Sequence, residues 1–164
     1  MILRGVRPAP VGSLDGRGRT LVTSLAGSVD MSISEIQVPV SFGELLDKIA
    51  ILQIKSERIS DAAKLANVHK ELAALDATWR AHPAAGRDIA GLLVELKAVN
   101  EQLWDIEDAV RLKERDQAFD GEFVELARSV YLRNDERARI KKAINLALGS
   151  GYVEEKSYRD YLAG

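Results

Sequence analysis

Cationic and amide side chains interrupt an otherwise apolar stripe near the C-terminal end of the sequence. Apolar residues recur there at steps of three and four, as one face of a helix requires, but Asn134, Arg137 and Lys141 fall on the same stripe. Burying an unpaired guanidinium or ammonium group is costly, so we expect these groups to find carboxylates, water or a ligand. This segment is therefore the first place to look for function.

Other segments supply charged and aromatic side chains that can meet this stripe if the helices pack side by side. Arginine binds carboxylate and phosphate groups through two parallel hydrogen bonds, so a cluster of arginine and lysine suits an anion. Glu107 is a candidate acid or base, and Trp104 is either a stacking surface or part of the core rim. The candidate anion pocket comprises Lys55, Arg58, Trp104, Glu107, Arg111, Asn134, Arg137 and Lys141. In the alternative interpretation, these groups form ion pairs on the flanks of long helices.

Signatures for metals, cofactors and covalent catalysis are incomplete in the sequence. His69 and His82 each lack a ligand-type residue four positions along, and cysteine is absent, so we expect neither a metal nor a cofactor. Gly16-Arg17-Gly18 opens no patterned helix, which argues against a phosphate-binding loop. No serine lies in a nucleophile elbow, so catalytic residues cannot be assigned.

Composition and charge exclude several classes of protein. The chain has 164 residues, of which 46% are hydrophobic, and its formal net charge of −2 provides no positive field to attract nucleic acid. The longest apolar runs cover only a few residues, such as 49–52, whereas a membrane-spanning helix needs about 20. We therefore expect a cytoplasmic protein that neither binds nucleic acid nor spans a membrane.

Apolar periodicity predicts the first two helices. The first begins at Ser41-Phe42-Gly43-Glu44, a capping box in which the Ser41 and Glu44 side chains bond to each other's backbone N–H groups. Its middle is apolar almost all round, which is typical of a central helix. The second helix is capped by Ser60 or Asp61 and ends before Pro83, so the two are expected to form a helical hairpin.

The third and fourth helices are predicted to be longer. A heptad alternation runs from Ile89 to Val110 in the third helix, which extends to about Arg115. The fourth helix extends from Glu122 to Leu148 and stops at Gly149, where glycine can adopt the left-handed conformation.

These elements predict an all-α fold, namely an uneven four-helix bundle of two helical hairpins with a short extended N-terminal arm at residues 36–40. The longer hairpin is expected to project beyond the shorter one. A heptad seam exposed there would favour a homodimer through the long helices.

Residues 1–30 lack helical periodicity and are interpreted as a disordered or mis-assigned extension, because Met31 lies just before the first patterned segment. Residues 31–164 then form a single helical domain.

Four segments resemble an uncharacterised family of small bacterial helical proteins: residues 41–59, 67–72, 100–108 and 153–158. The resemblance covers about residues 35–160 and leaves the first 30 residues unmatched, which favours a start at Met31. It implies no activity. Members of the family are often encoded among glycosyltransferases that build cell-surface polysaccharide, so the resemblance implies a link to that pathway.

A weaker likeness is to helical chorismate mutases, in which a long first helix carries an arginine and arginine, lysine and glutamate line a pocket between helices. Leu45-Leu46-Asp47-Lys48-Ile49 is similar to that first helix, but Lys48 stands where arginine is expected.

The sequence as a whole leaves two hypotheses for the function. The first is a non-enzymatic accessory or interaction protein that contacts a glycosyltransferase or other protein through the uneven hairpin. The second is an enzyme or binder that holds an anionic sugar phosphate or carboxylate in the candidate anion pocket.

Overall fold

The computed structural model describes residues 36–155 and residue 157. The chain divides between Val38 and Pro39, and the described residues from Pro39 onward form one compact unit. The predictions of an N-terminal extension at residues 1–30 and of a start at Met31 lie outside the described residues. Residues 36–40 form neither helix nor strand, and Ile36, Val38 and Val40 are exposed.

The described part of the second unit contains four α-helices and no strand, which confirms the all-α prediction. The helices are α1 (Phe42–Arg58), α2 (Ala62–Ala81), α3 (Ala90–Arg115) and α4 (Gly121–Leu148), and a short 3-10 turn at Pro83–Gly86 joins α2 to α3. The first two helices pair as one hairpin, and the last two pair as a longer one. Since α1 also packs against α3 and α4, it is the central helix of the bundle.

The capping box at the start of α1 is only half formed. The Ser41 hydroxyl accepts a hydrogen bond from the Glu44 N–H at 3.2 Å, as the motif predicts. The Glu44 carboxylate does not reach back to Ser41; it pairs instead with the Lys141 ammonium group of α4. The reciprocal bond predicted from the sequence is therefore wrong, because a buried cation in another helix competes for the same carboxylate.

The other helix ends agree with local sequence chemistry. Asp61, rather than Ser60, caps α2 by accepting a hydrogen bond from the Lys64 N–H at 2.9 Å. Gly149 ends α4 at a φ of 69°, in the left-handed region that favours glycine. The turn between α3 and α4 also contains a left-handed residue, Gln117, at a φ of 53°.

The core lies where α1 meets the first half of α3 and the second half of α4. Its least exposed side chains include Leu46, Leu52 and Ile54 of α1, Leu96 and Val99 of α3, and Ile140 and Ile144 of α4. α2 contributes the buried Val68 and the half-buried Leu72, Leu75 and Trp79. No helix in the described part of the chain is both long enough and apolar enough to cross a membrane.

The longer hairpin continues past this core. The buried residues of α3 end at Leu103, and those of α4 begin at Ile140. We call residues 105–136 the tip of the hairpin and its remaining parts, residues 90–104 and 137–148, the root. No residue of the tip is buried, although all of them are described. The bundle is thus uneven, as the helix lengths predict.

Candidate functional site

A layer of polar side chains lies between α1, α3 and α4, in the root of the hairpin and at the adjoining end of the tip. Its members are mostly buried and lie on facing turns of the three helices, so that each helix contributes at least one hydrogen-bonding group. We call this set the polar layer; it comprises Glu44, Asp47, Asn100, Asn134, Arg137, Lys141 and Asn145.

One chain of hydrogen bonds crosses the layer from α1 to α4. The Asn100 amide donates to Oδ1 of Asp47 at 2.8 Å, and its oxygen accepts from Arg137 at 3.4 Å. Arg137 also donates to Oδ1 of Asn134 at 2.7 Å. Asp47 and Asn100 are only 7% and 4% exposed, so their mutual bond replaces bonds to water that folding removes. The guanidinium group of Arg137 is half-buried and is held by amide oxygens.

Lys141 forms the second connection of the layer. Its side chain is only 10% exposed, and its ammonium group pairs with Glu44 of α1 and, at 3.0 Å, with Glu154 in the segment after α4. Burial alone would lower the pKa of Lys141, but the hydrogen bonds to Glu44 and Glu154 outweigh it and raise the pKa above its ordinary value. The lysine is therefore held in its charged form within the bundle.

Asn145 lies one turn beyond Lys141 and brings α1 and α4 into close contact. Its Oδ1 accepts a hydrogen bond from the Gly43 N–H at 2.7 Å, and its side chain is almost completely buried. Gly43 has no room for a larger residue, because a Cβ atom there would lie 2.7 Å from the Lys141 carbonyl oxygen. The glycine is thus required by the spacing of the two helices.

A groove opens beside Lys141 and Asn145, between α4 and the segment that follows it. Its volume is about 280 Å³, and it is lined by Ala138, Arg139, Lys141, Lys142, Asn145, Glu154 and Glu155. Glu155 pairs with Lys142 at 3.4 Å, and Arg139 pairs with Glu95 of α3 at 3.6 Å. Cations of α4 therefore line one side of the groove, and two carboxylates of the following segment line the other.

The remaining residues of the predicted anion pocket lie elsewhere. Arg58 pairs with Asp105 and lies 5.8 Å from the ring centre of Trp104, and the hydrogen bond to Asp105 raises the pKa of Arg58. Glu107 and Arg111 pair with each other at 2.8 Å on the exposed surface of the tip. Lys55 is half-buried on α1 and has no ion pair with a described residue.

Only three of the eight predicted residues thus meet in the polar layer: Asn134, Arg137 and Lys141. Of the five cations in the predicted pocket, Arg58, Arg111 and Lys141 each have a carboxylate partner, Arg137 is bonded to amide oxygens, and Lys55 has no ion pair with a described residue. The arrangement stabilises the packing of three helices, and two of its buried polar groups, Lys141 and Asn145, line the groove beside α4.

Several residues of the layer were not among the predicted site residues. They are Glu44, Asp47, Asn100 and Asn145. Asn100 directly follows Val99, a residue of the heptad stripe of α3, and Asn145 lies four residues after Lys141 on the same face of α4. The position of these polar residues beside apolar stripes could therefore have identified them as members of the site. Which of them bond to each other depends on how the helices cross.

The fold and the polar layer define a small helical bundle held together by both an apolar core and buried polar contacts. The profile of a family of unknown function, DUF6165, matches residues 36–163, and the chain belongs to that family. No curated protein and no solved structure matches the chain.

Proposed function

We propose that the chain is a non-enzymatic interaction protein that docks a basic, partly apolar surface of another protein along the tip of the α3–α4 hairpin. The observation that carries this proposal is the contrast within the hairpin, whose root is buried against α1 while its tip buries no residue over 32 positions. In one recurring mode of recognition, a helix lays its apolar face into a groove of the partner, and the uncovered length of this hairpin offers such a face.

The tip carries several exposed apolar side chains. Leu112, Phe119 and Val124 are each more than half exposed, and Tyr131 and Leu132 are about 40% exposed. Val124 and Tyr131 are seven residues apart and therefore share one face of α4, with Leu132 next to them. Single exposed apolar residues are normal, but a group of this size marks a surface that another protein can cover.

The charge of the tip specifies the chemistry of the partner. Residues 105–136 carry ten acidic and five basic side chains, a net charge of −5, whereas the whole chain carries −2. The rest of the chain therefore carries +3. Complementary charge steers association and disfavours wrong partners, so a basic surface is the expected occupant. Two tips with the same negative charge repel each other, which makes a homodimer through the tips the less favoured arrangement.

The partner class follows from the family resemblance given by residues 41–59, 67–72, 100–108 and 153–158. That resemblance implies a link to the glycosyltransferases that build bacterial cell-surface polysaccharide, and an accessory role beside them fits a chain without a complete catalytic signature. We therefore propose a glycosyltransferase with a basic surface patch as the partner.

Site-specific crosslinking in native cells tests this proposal. A photoreactive amino acid replaces Leu132 in the tip or, as a matched control, Leu146 in the root of the same helix, where the leucine is 68% exposed. We expect position 132, but not position 146, to capture one protein reproducibly. The captured protein, once identified and purified, should bind the wild-type chain about tenfold more tightly than a variant with Glu107, Glu125 and Glu136 changed to glutamine.

Four results of this experiment would contradict the proposal or a part of it. Equal capture at both positions would show that the tip is not a specific contact surface, and no capture at position 132 would show that it is not occupied. Capture of only a second copy of the chain would replace the basic partner by a homodimer. A captured protein that binds through the tip but is no glycosyltransferase would remove the link to polysaccharide.

The second hypothesis from the sequence, an anionic sugar phosphate or carboxylate held between helices, now depends on a different set of residues. Arg58 and Arg111 lie apart from the polar layer. Lys141 remains a candidate because it lines both the layer and the groove beside α4. An enzyme active site of the chorismate mutase kind has less support, because its arginines would have to meet in one pocket.

A further inference from the structure

The groove beside α4 combines two buried polar groups with two carboxylates of the segment that follows the helix. Lys141 and Asn145 lie one helical turn apart and are 8% and 1% exposed. Glu154 and Glu155 lie across from them in a segment that forms neither helix nor strand. We call the segment 152–155 the strap.

We propose that this groove binds a small molecule that carries a phosphate or carboxylate group, and that Glu154 and Glu155 of the strap occupy the positions that the oxygens of this anion take. The proposal concerns a site on the root of the hairpin and is independent of docking at the tip.

The Asn145 amide provides the first argument. Its oxygen is used by the Gly43 N–H, but its Nδ2 donates to no described group. No buried side-chain nitrogen or oxygen among the described residues lacks a hydrogen-bond partner. The Nδ2 atom therefore keeps a small accessible area, although the residue as a whole is 1% exposed. A donor held this rigidly at the floor of a groove is suited to an oxygen of a bound anion.

The two partners of Lys141 provide the second argument. Glu44 is fixed in the first turn of α1, whereas Glu154 belongs to the irregular strap. If an anion replaces Glu154, Lys141 keeps Glu44 and still has a second negatively charged group beside its ammonium group. The buried cation is therefore paired in both states, so the exchange avoids the large cost of an unpaired buried charge.

The surrounding charge provides the third argument. Residues 137–148 contain four cations, Arg137, Arg139, Lys141 and Lys142, and no acidic residue. The pair between Lys142 and Glu155 is largely exposed, with the two side chains 50% and 77% accessible, so water screens it and it is weak. The volume of about 280 Å³ suits a small organic phosphate rather than a large cofactor.

The experiment titrates the full chain with inorganic phosphate, glucose 1-phosphate or glutarate and follows the side-chain amide signals by NMR. Four proteins are compared: the wild type, the strap variant E154Q/E155Q, the control E125Q/E136Q and the triple variant E154Q/E155Q/K142Q. The control removes two carboxylates that also pair with cations, but it removes them from the tip. Glutarate separates a carboxylate ligand from a phosphate ligand.

We expect at least one probe to shift the Asn145 amide signals and to bind the strap variant about tenfold more tightly than the wild type or the control, because the competing carboxylates are gone. Adding Lys142→Gln should reverse most of that gain. Equal affinities for the strap variant and the control would overturn the proposal. Shifts spread over exposed lysines and arginines, with none at Asn145, would overturn it as well.

Discussion

The root and the tip of the α3–α4 hairpin are parts of the same two helices, but they use their residues differently. In the root, apolar side chains such as Leu96 and Ile144 are completely buried against α1. In the tip, comparable side chains such as Val124 and Leu132 remain about half exposed. The difference arises because α1 has 17 residues and cannot extend along helices of 26 and 28 residues. A length mismatch between hairpins therefore decides which part of a helix supports the fold.

Polar groups show the same contrast. In the root, Asn100 and Lys141 connect different helices and are shielded from water. Among the described residues of the tip, four ion pairs join residues three or four apart on one helix, such as Glu107 with Arg111 and Glu125 with Arg128. Pairs of the second kind contribute little to stability, so their charge is available for contacts with another molecule.

The largest expected effect comes from removing an apolar side chain from each region of α4. Ile144→Ala in the root leaves a cavity in the core and should lower the free energy of unfolding by about 2–5 kcal/mol. Leu132→Ala in the tip should change it by less than about 0.5 kcal/mol. Urea denaturation measures both values. Similar losses at the two positions would show that the tip is packed and would remove the contrast.

A smaller effect is expected where α1 touches α4. Gly43→Ala places a Cβ atom 2.7 Å from the Lys141 carbonyl oxygen, so the helices must move apart at a cost of about 1–3 kcal/mol. Gly91→Ala is the matched control, because no atom lies within 4 Å of its added Cβ. That change should be neutral or stabilise the protein by up to about 1 kcal/mol, through its effect on the unfolded chain. A neutral Gly43→Ala would mean that the two helices are not in close contact.

The smallest expected effect is a dependence of stability on alkaline pH. The unfolded chain has the ordinary lysine pKa of 10.5, and the pKa of Lys141 in the folded protein is higher. The folded state therefore holds the proton more tightly. The resulting stabilisation is complete below pH 10.5 and is lost as the pH rises through the folded pKa.

Denaturation at several pH values around and above 10.5 measures this loss, and the strap provides a matched pair of variants. Glu154→Gln removes one partner of Lys141 and should flatten the alkaline decline. Glu155→Gln should leave the decline nearly unchanged, because Glu155 pairs with Lys142 instead. Identical profiles for the two variants would show that Glu154 does not hold the proton on Lys141.

The sequence predicts the helices well because their signals are local. Steps of three and four, Gly149 after α4 and the acidic cap of α2 each depend on residues close together in the chain. The interrupted stripe of α4 also pointed to Asn134, Arg137 and Lys141, since polar groups at buried positions need partners. These three residues lie in one layer because the packing of α4 against α1 and α3 turns this face of the helix inward.

The partners of these groups could not be predicted in the same way. Which turn of α3 faces Arg137 depends on how three helices cross, and this geometry brings Asn100 to it and leaves Arg111 on the tip. The spacing between Ser41 and Glu44 predicts a capping box, but the Glu44 carboxylate pairs instead with the buried ammonium group of Lys141 in α4. Nonlocal contacts between charged groups thus override a local motif.

The central claim is that the root of the hairpin stabilises the fold, whereas the tip contributes little to stability and remains available to a partner. Amide hydrogen exchange of the free, full-length chain tests this claim most directly. Amides of residues 121–135 should exchange through local opening, with opening free energies at least about 2 kcal/mol below those of residues 140–148 in the same helix. Uniform protection along α4 would contradict this account, because it would show that the tip is already buried in the free protein.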